Sequence, residues 1–290
     1  MNVRLRDATI GFSRRGTGPP LLLIHGFTGS AATMEPLGAI VIEAAAPLTR
    51  QLVAVDLVGH GSSSSPAAIG QYSMAASIEH VAAVLDEVAS GEPADIVGYS
   101  LGGRVALSFA AAHPNRVRTL TLIGATPGLD NPDEAAARRL ADERLADDLT
   151  SDGLERFVDR WMALPMWQSL RHRIGPEAWA ASRQQRLSND PTGLSNSLRG
   201  ISTGVMPALH SALPSVRVPT LLIAGDEDQK FQSIARSMAT LLPNARTEWI
   251  NEAGHAAHLE QPDRTAAAIA AHVSVASTVQ EGDAEEDGHP

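Results

Sequence analysis

Short, continuous apolar runs recur along the chain and alternate with helical stretches. They span residues 21–25, 52–56, 95–100, 119–124, 220–225 and 246–250. Runs of this length without polar alternation are typical of strands that are buried on both faces of a parallel sheet, with helices as the crossovers. The pattern therefore predicts an α/β fold with a mostly parallel, doubly wound sheet. Residues 3–14 alternate weakly and are predicted to add an antiparallel hairpin at its edge.

The alternation stops in the middle of the chain, where a long stretch is mostly helical and prolines lie at its edges. Its predicted helices span 131–149, 152–163, 175–187 and 193–209. An insert above the carboxyl ends of parallel strands covers the crevice where open α/β sheets bind ligands. We therefore predict a core of residues 1–127 and 214–274, a helical cap of residues 128–213, and an acidic, disordered tail of residues 275–290.

Composition excludes several classes of function. The formal net charge of -10 argues against non-specific nucleic-acid binding, which needs a basic surface. The absence of cysteine excludes disulfides, thiolate metal sites and a cysteine nucleophile. No run approaches the roughly 18 apolar residues of a membrane span, and charges interrupt the first residues where a signal peptide is apolar. A cytoplasmic protein without membrane association is expected, whereas its oligomeric state is not indicated.

Ser100 lies in Gly98-Tyr99-Ser100-Leu101-Gly102, between an apolar run and a helical stretch. Glycines on both sides permit the close packing of a sharp strand-to-helix elbow, and the amino end of the helix offers partial positive charge beside the serine oxygen. A purely structural, glycine-rich turn is the alternative. The strand-turn-helix context favours a nucleophile-position serine.

A serine hydroxyl reacts only when an imidazole takes its proton and an acid fixes that imidazole. His255 follows the last apolar run, and Asp228 follows the preceding one, which gives the chain order Ser, Asp, His of hydrolase folds. His258 is the rival to His255. By position alone, Asp226 and Glu227 compete with Asp228.

A developing oxyanion or enolate needs backbone donors that are already in place. Leu101, directly after the serine, offers one N–H group, and Phe27 in the loop His25-Gly26-Phe27 offers another. The alternative for this loop is a plain tight turn.

Five motifs together look like those of the α/β-hydrolase superfamily, at residues 24–29, 56–62, 98–104, 225–231 and 253–258. Narrower details resemble the 2-succinyl-6-hydroxy-2,4-cyclohexadiene-1-carboxylate synthase family of menaquinone biosynthesis. These details are Tyr99 before the serine, Arg104 after it, Pro127-Gly128-Leu129, Leu198-Arg199-Gly200 and Lys230-Phe231. The resemblance covers residues 20–272.

The resemblance implies a carbon–oxygen lyase that eliminates pyruvate from 2-succinyl-5-enolpyruvyl-6-hydroxy-3-cyclohexene-1-carboxylate, with the triad serine acting as a base. It implies no metal and no organic cofactor. The substrate is a tricarboxylate, and guanidinium groups bind carboxylates well. By family position, the substrate-binding residues are Tyr99, Arg104, Arg138, Trp161, Arg186 and Lys230. For the two cap arginines a solvated helix face is the alternative, and the neighbouring Arg139 leaves the register open.

Three functions remain open from the sequence. The first is the lyase, which the converging cations favour. The second is a serine hydrolase of an ester, a lactone or a carbon–carbon bond, for which the triad alone suffices. The third is a non-catalytic binding protein, which has no need of three filled triad positions.

Overall fold

The computed structural model describes residues 1–89 and 91–286, and the side chains of these residues as far as residue 275. Its strands are β1 (Asn2–Arg4), β2 (Thr9–Arg15), β3 (Pro20–Ile24), β4 (Gln51–Val55), β5 (Ala94–Tyr99), β6 (Val117–Ile123), β7 (Thr220–Gly225) and β8 (Ala245–Ile250). Within the described residues they form one 8-stranded sheet in the order β1-β2-β4-β3-β5-β6-β7-β8. β1 and β2 are antiparallel to their neighbours, and the remaining pairs are parallel. The predicted sheet and its edge hairpin are confirmed.

The helices cover both faces of this sheet. They are α1 (Ala31–Ala44), α2 (Met74–Ala89), α3 (Leu101–Ala112), α4 (Pro132–Asp152), α5 (Leu154–Met162), α6 (Gln168–Leu187), α7 (Pro191–Ile201), α8 (Gln229–Leu241), α9 (Ala257–Glu260) and α10 (Pro262–Glu286). α1 and α10 pack in one apolar cluster, and α2, α3 and α8 pack in another. Among the described residues, we find no helix with the length and apolar character that crossing a membrane requires.

The central strand β3 shows why the apolar runs are continuous. Leu21 and Leu23 belong to the cluster on one face, and Leu22 and Ile24 belong to the cluster on the other. All four side chains are 0% exposed. Because successive side chains point to opposite faces of a strand, a strand covered on both sides needs an apolar residue at every position.

Helices α4 to α7 lie between β6 and β7, where the sequence predicts an insert, although the start of α6 and the end of α7 differ strongly from the prediction. The last helix ends at Ile201 and not at 209, because the backbone turns extended at Ser202 and Pro207 cannot continue a helix. α6 begins before the predicted 175 and contains a kink at Gly175, whose φ is 75°. The division into core and cap at residues 128 and 213 stays a prediction.

The predicted disordered tail also differs from the structure. α10 continues through residues 275–286, where the sequence predicts the tail to begin. This segment contains no proline and several alanine, glutamate and glutamine residues, which are strong helix formers. Residues 287–290 of the predicted tail lie outside the described residues.

Candidate active site

Ser100 lies at a sharp turn between the end of β5 and the start of α3. Its φ is 50° and its ψ is -107°, a region that side chains with a Cβ rarely adopt. The turn is possible because neither flanking glycine has a side chain, and both lie in close contact with backbone atoms. A Cβ on Gly98 would lie 2.6 Å from the Cα of Gly103, and a Cβ on Gly102 would lie 2.2 Å from the carbonyl oxygen of Ile24. The predicted role of the two glycines therefore has a steric cause.

His255 connects this serine to a carboxylate. Its Nε2 atom lies 3.3 Å from Oγ of Ser100, and its Nδ1 atom lies 2.9 Å from Oδ2 of Asp228. The other oxygen of Asp228 accepts a hydrogen bond from the N–H of Phe231 and so caps α8. An imidazole that donates from Nδ1 to a carboxylate keeps Nε2 free to accept the serine proton.

The rival residues lie elsewhere. Asp226 accepts a hydrogen bond from the N–H of Ala253, and Glu227 forms an ion pair with Arg173. His258 packs against the ring of Tyr99 with their centroids 4.2 Å apart, and burial lowers its pKa to about 3. The structure therefore brings together Ser100, His255 and Asp228 and not their competitors.

Aromatic rings enclose the imidazole of His255. The ring centroids of Phe231, Tyr99 and Trp167 lie 4.5, 5.5 and 6.1 Å from that of His255, which is only 4% exposed. A surrounding of this kind excludes water and strengthens the electrostatic interactions inside it.

The two predicted oxyanion donors line the same cavity as Ser100. The N–H groups of Phe27 and Leu101 donate to no protein acceptor within the described residues. Leu101 begins α3, so its N–H is one of those that a helix leaves free at its amino end. In the loop of Phe27, Nε2 of His25 accepts a hydrogen bond from the N–H of Leu57, and its Nδ1 donates to the carbonyl oxygen of Gly26. Burial lowers the pKa of His25, which keeps this neutral arrangement.

Arg104 is a buried cation beside Ser100. Its side chain lines the cavity, and its Nη1 atom donates a hydrogen bond of 2.5 Å to the carbonyl oxygen of Ile201. Within the part of the chain that the structure describes, it forms no ion pair with a carboxylate. Desolvation and, less strongly, the nearby charge of Arg138 lower its pKa to about 10, so it remains charged at neutral pH.

Arg138 and Arg139 face different surroundings. Arg138 lines the cavity, and its Nε atom donates to Oδ2 of Asp142 at 2.7 Å. Arg139 is more exposed and donates to Glu143 outside the cavity. The sequence leaves open which of these two arginines faces the site, and in the structure Arg138 lines the cavity of Ser100.

Tyr99, Trp161 and Lys230 complete the predicted lining. All three border the cavity of about 160 Å³ that contains Ser100. The ammonium of Lys230 is exposed at its edge, 5.6 Å from the ring centroid of Phe231. Among the described residues, no group of 3 or more His, Asp or Glu side chains is arranged to hold a metal ion.

Arg186 does not line the cavity of Ser100. It borders a second cavity of about 360 Å³, with its guanidinium 5.3 Å from the ring centroid of Trp167. Phe27, Tyr99 and Trp167 border both cavities. Arg186 therefore lines a different cavity from Ser100, and its role in binding a substrate carboxylate stays a prediction.

The sequence reasoning missed two residues near His255. The buried carboxylate of Glu260 accepts hydrogen bonds from the N–H groups of Gly254 and Ala256, which flank the histidine. Arg173 contacts Glu260 from α6. An acidic residue within the apolar run 256–260 is the signal that could have identified this contact.

The α/β hydrolase fold family matches residues 19–262. A Bacillus subtilis protein named putative 2-succinyl-6-hydroxy-2,4-cyclohexadiene-1-carboxylate synthase is 36% identical over 242 residues, which cover 83% of this chain and 85% of that protein. The synthase of this name from Enterobacter sp. (strain 638) is 31% identical and covers 93% of this chain and 95% of its own length.

Solved structures give the same relationship. The structure of MenH from S. aureus superposes with a TM-score of 0.84 at 31% identity, covering 92% of this chain and 98% of that one. The resemblance predicted from the motifs is thereby confirmed. The chain belongs to the α/β hydrolase fold family and, within it, to the family of 2-succinyl-6-hydroxy-2,4-cyclohexadiene-1-carboxylate synthases.

Proposed function

We propose that this protein eliminates pyruvate from 2-succinyl-5-enolpyruvyl-6-hydroxy-3-cyclohexene-1-carboxylate to give 2-succinyl-6-hydroxy-2,4-cyclohexadiene-1-carboxylate. The observation that carries the proposal is the juxtaposition of Ser100 and Arg104 in one cavity, because Arg104 is a buried cation that forms no ion pair with a carboxylate among the described residues. An unpaired buried charge is costly, so a cavity that contains one suits an anionic ligand. Relatives that bear the name of this synthase supply independent support.

Ser100 is the proposed base. His255 takes the hydroxyl proton at Nε2 while Oγ removes a proton from the substrate ring, and Asp228 stabilises the imidazolium. The electron pair of the broken carbon–hydrogen bond moves toward the succinyl carbonyl. The electron pair then returns to the ring as the new carbon–carbon double bond while the carbon–oxygen bond to the enolpyruvyl group breaks. The departing enolate takes up the proton of the His255 imidazolium to become pyruvate, which restores the neutral imidazole.

The negative charge that develops on the succinyl oxygen needs donors at that point. The free N–H groups of Phe27 and Leu101 are the proposed oxyanion hole, because both border the cavity beside the serine. Donors that are fixed before the reaction cost no reorganisation during it. This part of the proposal is independent of how the carboxylates bind.

Carboxylate binding is assigned to the cations that border the cavity. Arg104 and Arg138 are the proposed forks, and Lys230 is a point charge at the edge. Tyr99 and Trp161 are the proposed apolar lining. Arg186 is assigned to a part of the ligand that extends past Tyr99 and Trp167, since Arg186 borders the second cavity.

Pyruvate release separates the lyase from a serine hydrolase. The purified protein is mixed with the enolpyruvyl substrate, pyruvate is followed with a coupled dehydrogenase, and hydrolysis of a simple aryl ester is measured in parallel. Rapid pyruvate release with slow ester turnover is expected, and Ser100→Ala removes both. Rapid ester turnover without pyruvate favours the hydrolase and contradicts the lyase.

A second measurement tests the role of the serine as a base. Because Oγ exchanges only a proton in the proposed reaction, the enzyme quenched during turnover has the mass of the unmodified chain. An adduct on Ser100 identifies covalent catalysis instead.

A further inference from the structure

The loop that carries His255 is held by a buried carboxylate. Oε2 of Glu260 accepts a hydrogen bond of 3.0 Å from the N–H of Gly254, and Oε1 accepts one of 3.3 Å from the N–H of Ala256. The side chain of Glu260 is 0% exposed. Since these two amides precede and follow His255, their positions determine where the histidine backbone lies.

A buried carboxylate needs compensation, and Arg173 provides it. Nη1 of Arg173 lies 3.0 Å from Oε2 of Glu260, so this carboxylate has three donors among the residues that the structure describes. A charge at a fully buried position strongly destabilises the folded protein when its partner is removed, because the charge is then left uncompensated. Arg173 therefore supplies the positive charge that pairs with this buried carboxylate.

The same guanidinium also contacts the loop that carries Asp228. Its Nη1 and Nη2 atoms donate to the two carboxylate oxygens of Glu227, the residue before Asp228. These bonds raise the pKa of Arg173, with Glu227 as the main cause and Glu260 as a further one. One side chain therefore spans the two loops whose side chains meet in the Asp228–His255 hydrogen bond.

Arg173 belongs to α6, and this helix packs directly on the histidine loop. A Cβ on Gly254 would lie 2.1 Å from Oγ of Ser169, one turn before Arg173 on the same helix. The glycine therefore permits the close approach. The contact connects the helices between β6 and β7 to the histidine.

We propose that Glu260 and Arg173 are positioning residues that set the orientation of His255 toward Asp228 and Ser100. The proposal rests on the proposed function in one respect, since it takes His255 to be the group that accepts the serine proton. Neither residue touches the reacting atoms in this role. Their effect is on the geometry of the imidazole, and misplacement by about 1 Å can lower a rate by up to about a hundredfold.

The experiment compares two arginines of the same helix. Arg173→Gln removes the contact with both loops, and Arg183→Gln is the matched control. The side chains are 23% and 27% exposed, and Arg183 pairs only with Glu155 and Asp159 within the described residues. For each variant we measure kcat and KM for pyruvate release, the thermal midpoint, and the Nδ1 proton resonance of His255 in histidine-labelled protein. A His255→Gln sample assigns that resonance.

Arg173→Gln is expected to lower kcat by about tenfold or more with little change in KM, and to shift or broaden the Nδ1 resonance. Arg183→Gln leaves both unchanged. Glu227→Gln weakens only the exposed contact of Arg173 and leaves its buried pair with Glu260 in place, so this variant is expected to fold. It shifts the Nδ1 resonance less than Arg173→Gln does, in the same direction.

Wild-type kcat and an unmoved Nδ1 resonance in Arg173→Gln overturn the proposal, as does an equal effect in Arg183→Gln. The resonance is recorded without substrate. A wild-type protein that releases no pyruvate therefore contradicts the proposed function alone, whereas a shifted resonance in Arg173→Gln still supports the positioning role.

Discussion

Arg104 donates a hydrogen bond of 2.5 Å to the carbonyl oxygen of Ile201 and thereby joins the helix behind Ser100 to the end of α7. Both residues are buried. Within the described residues, Nη1 donates to this carbonyl and, at 3.6 Å, to Sδ of Met206, so the donors on Nε and Nη2 are left for a ligand. We expect a bound carboxylate to compensate this buried charge.

Arg104→Met tests this relationship because it removes the charge and keeps much of the apolar volume. We expect kcat/KM for pyruvate release to fall by about tenfold to a hundredfold, as for the loss of a charged hydrogen bond. The free energy of unfolding is expected to stay within about 1 kcal/mol of wild type, since apolar replacement of a buried charge is often neutral. Steady-state kinetics and denaturant unfolding measure the two quantities. Unchanged kinetics in the folded variant removes Arg104 from the site.

The adjacent arginines of α4 give a matched pair of variants. Arg138→Ala is expected to raise KM about fivefold, because a partly exposed charged contact is worth about 1 kcal/mol. Arg139→Ala leaves KM unchanged, since this side chain points away from the cavity. Both are measured at low and at high salt, and the difference between them narrows as salt screens the charges. Equal KM values at low salt contradict the assignment.

Variants of the neighbouring Asp226 and Asp228 distinguish the acid that pairs with His255 from its rival. Asp228→Asn is expected to lower kcat by about 10³-fold to 10⁴-fold, because an amide no longer fixes the tautomer of His255. Asp226→Asn retains an oxygen that accepts from the N–H of Ala253, so its kcat stays within about twofold of wild type. Single-turnover pyruvate release measures both. A larger loss in the Asp226 variant identifies the wrong acid.

Buried histidines predict a loss of stability in mild acid. Burial lowers the pKa of His60 and His258 to about 3 and that of His80 to about 4, from an ordinary value of 6.5. Below pH 6.5 the unfolded chain therefore binds protons that the folded chain does not. The free energy of unfolding then falls by about 1.4 kcal/mol per pH unit for each such histidine.

Denaturant unfolding at pH 7 and pH 5 measures this loss, and His80→Gln provides the comparison. The variant lacks one of the depressed groups, so its free energy of unfolding falls less between the two values. An identical fall in both proteins contradicts the assignment of this proton to His80.

The parts of the site that could be predicted from the sequence are those set by local rules. The elbow at Ser100 follows from an apolar strand, two glycines and a helix, and each of these is visible in the order of residues. Asp228 and His255 could be identified because each comes shortly after the end of a further strand. Strand ends of a parallel sheet meet at one edge, so their side chains are near each other without any knowledge of packing.

The parts that could not be predicted depend on the direction of the inserted helices. Arg186 lines a cavity that shares Phe27, Tyr99 and Trp167 with the cavity of Ser100, and which of the two a helix side chain enters depends on how the helix packs. The contact of Arg173 with Glu260 joins residues that lie far apart along the chain. Neither arrangement leaves a periodic signal. The end of α7 at Ile201 was missed for a simpler reason, since apolar residues continue the helical spacing after the backbone has already turned.

The ring of Tyr99 has a consequence for the size of ligand that the protein accepts. A Cβ on Gly26 would lie 2.8 Å from this ring on one side, and the imidazole of His258 packs on the other. Tyr99 thus borders both cavities and is next in sequence to Ser100. We expect exchange of Tyr99 for a smaller residue to connect the two cavities. The same fold then accepts longer ligands, while Ser100, His255 and Asp228 keep their positions.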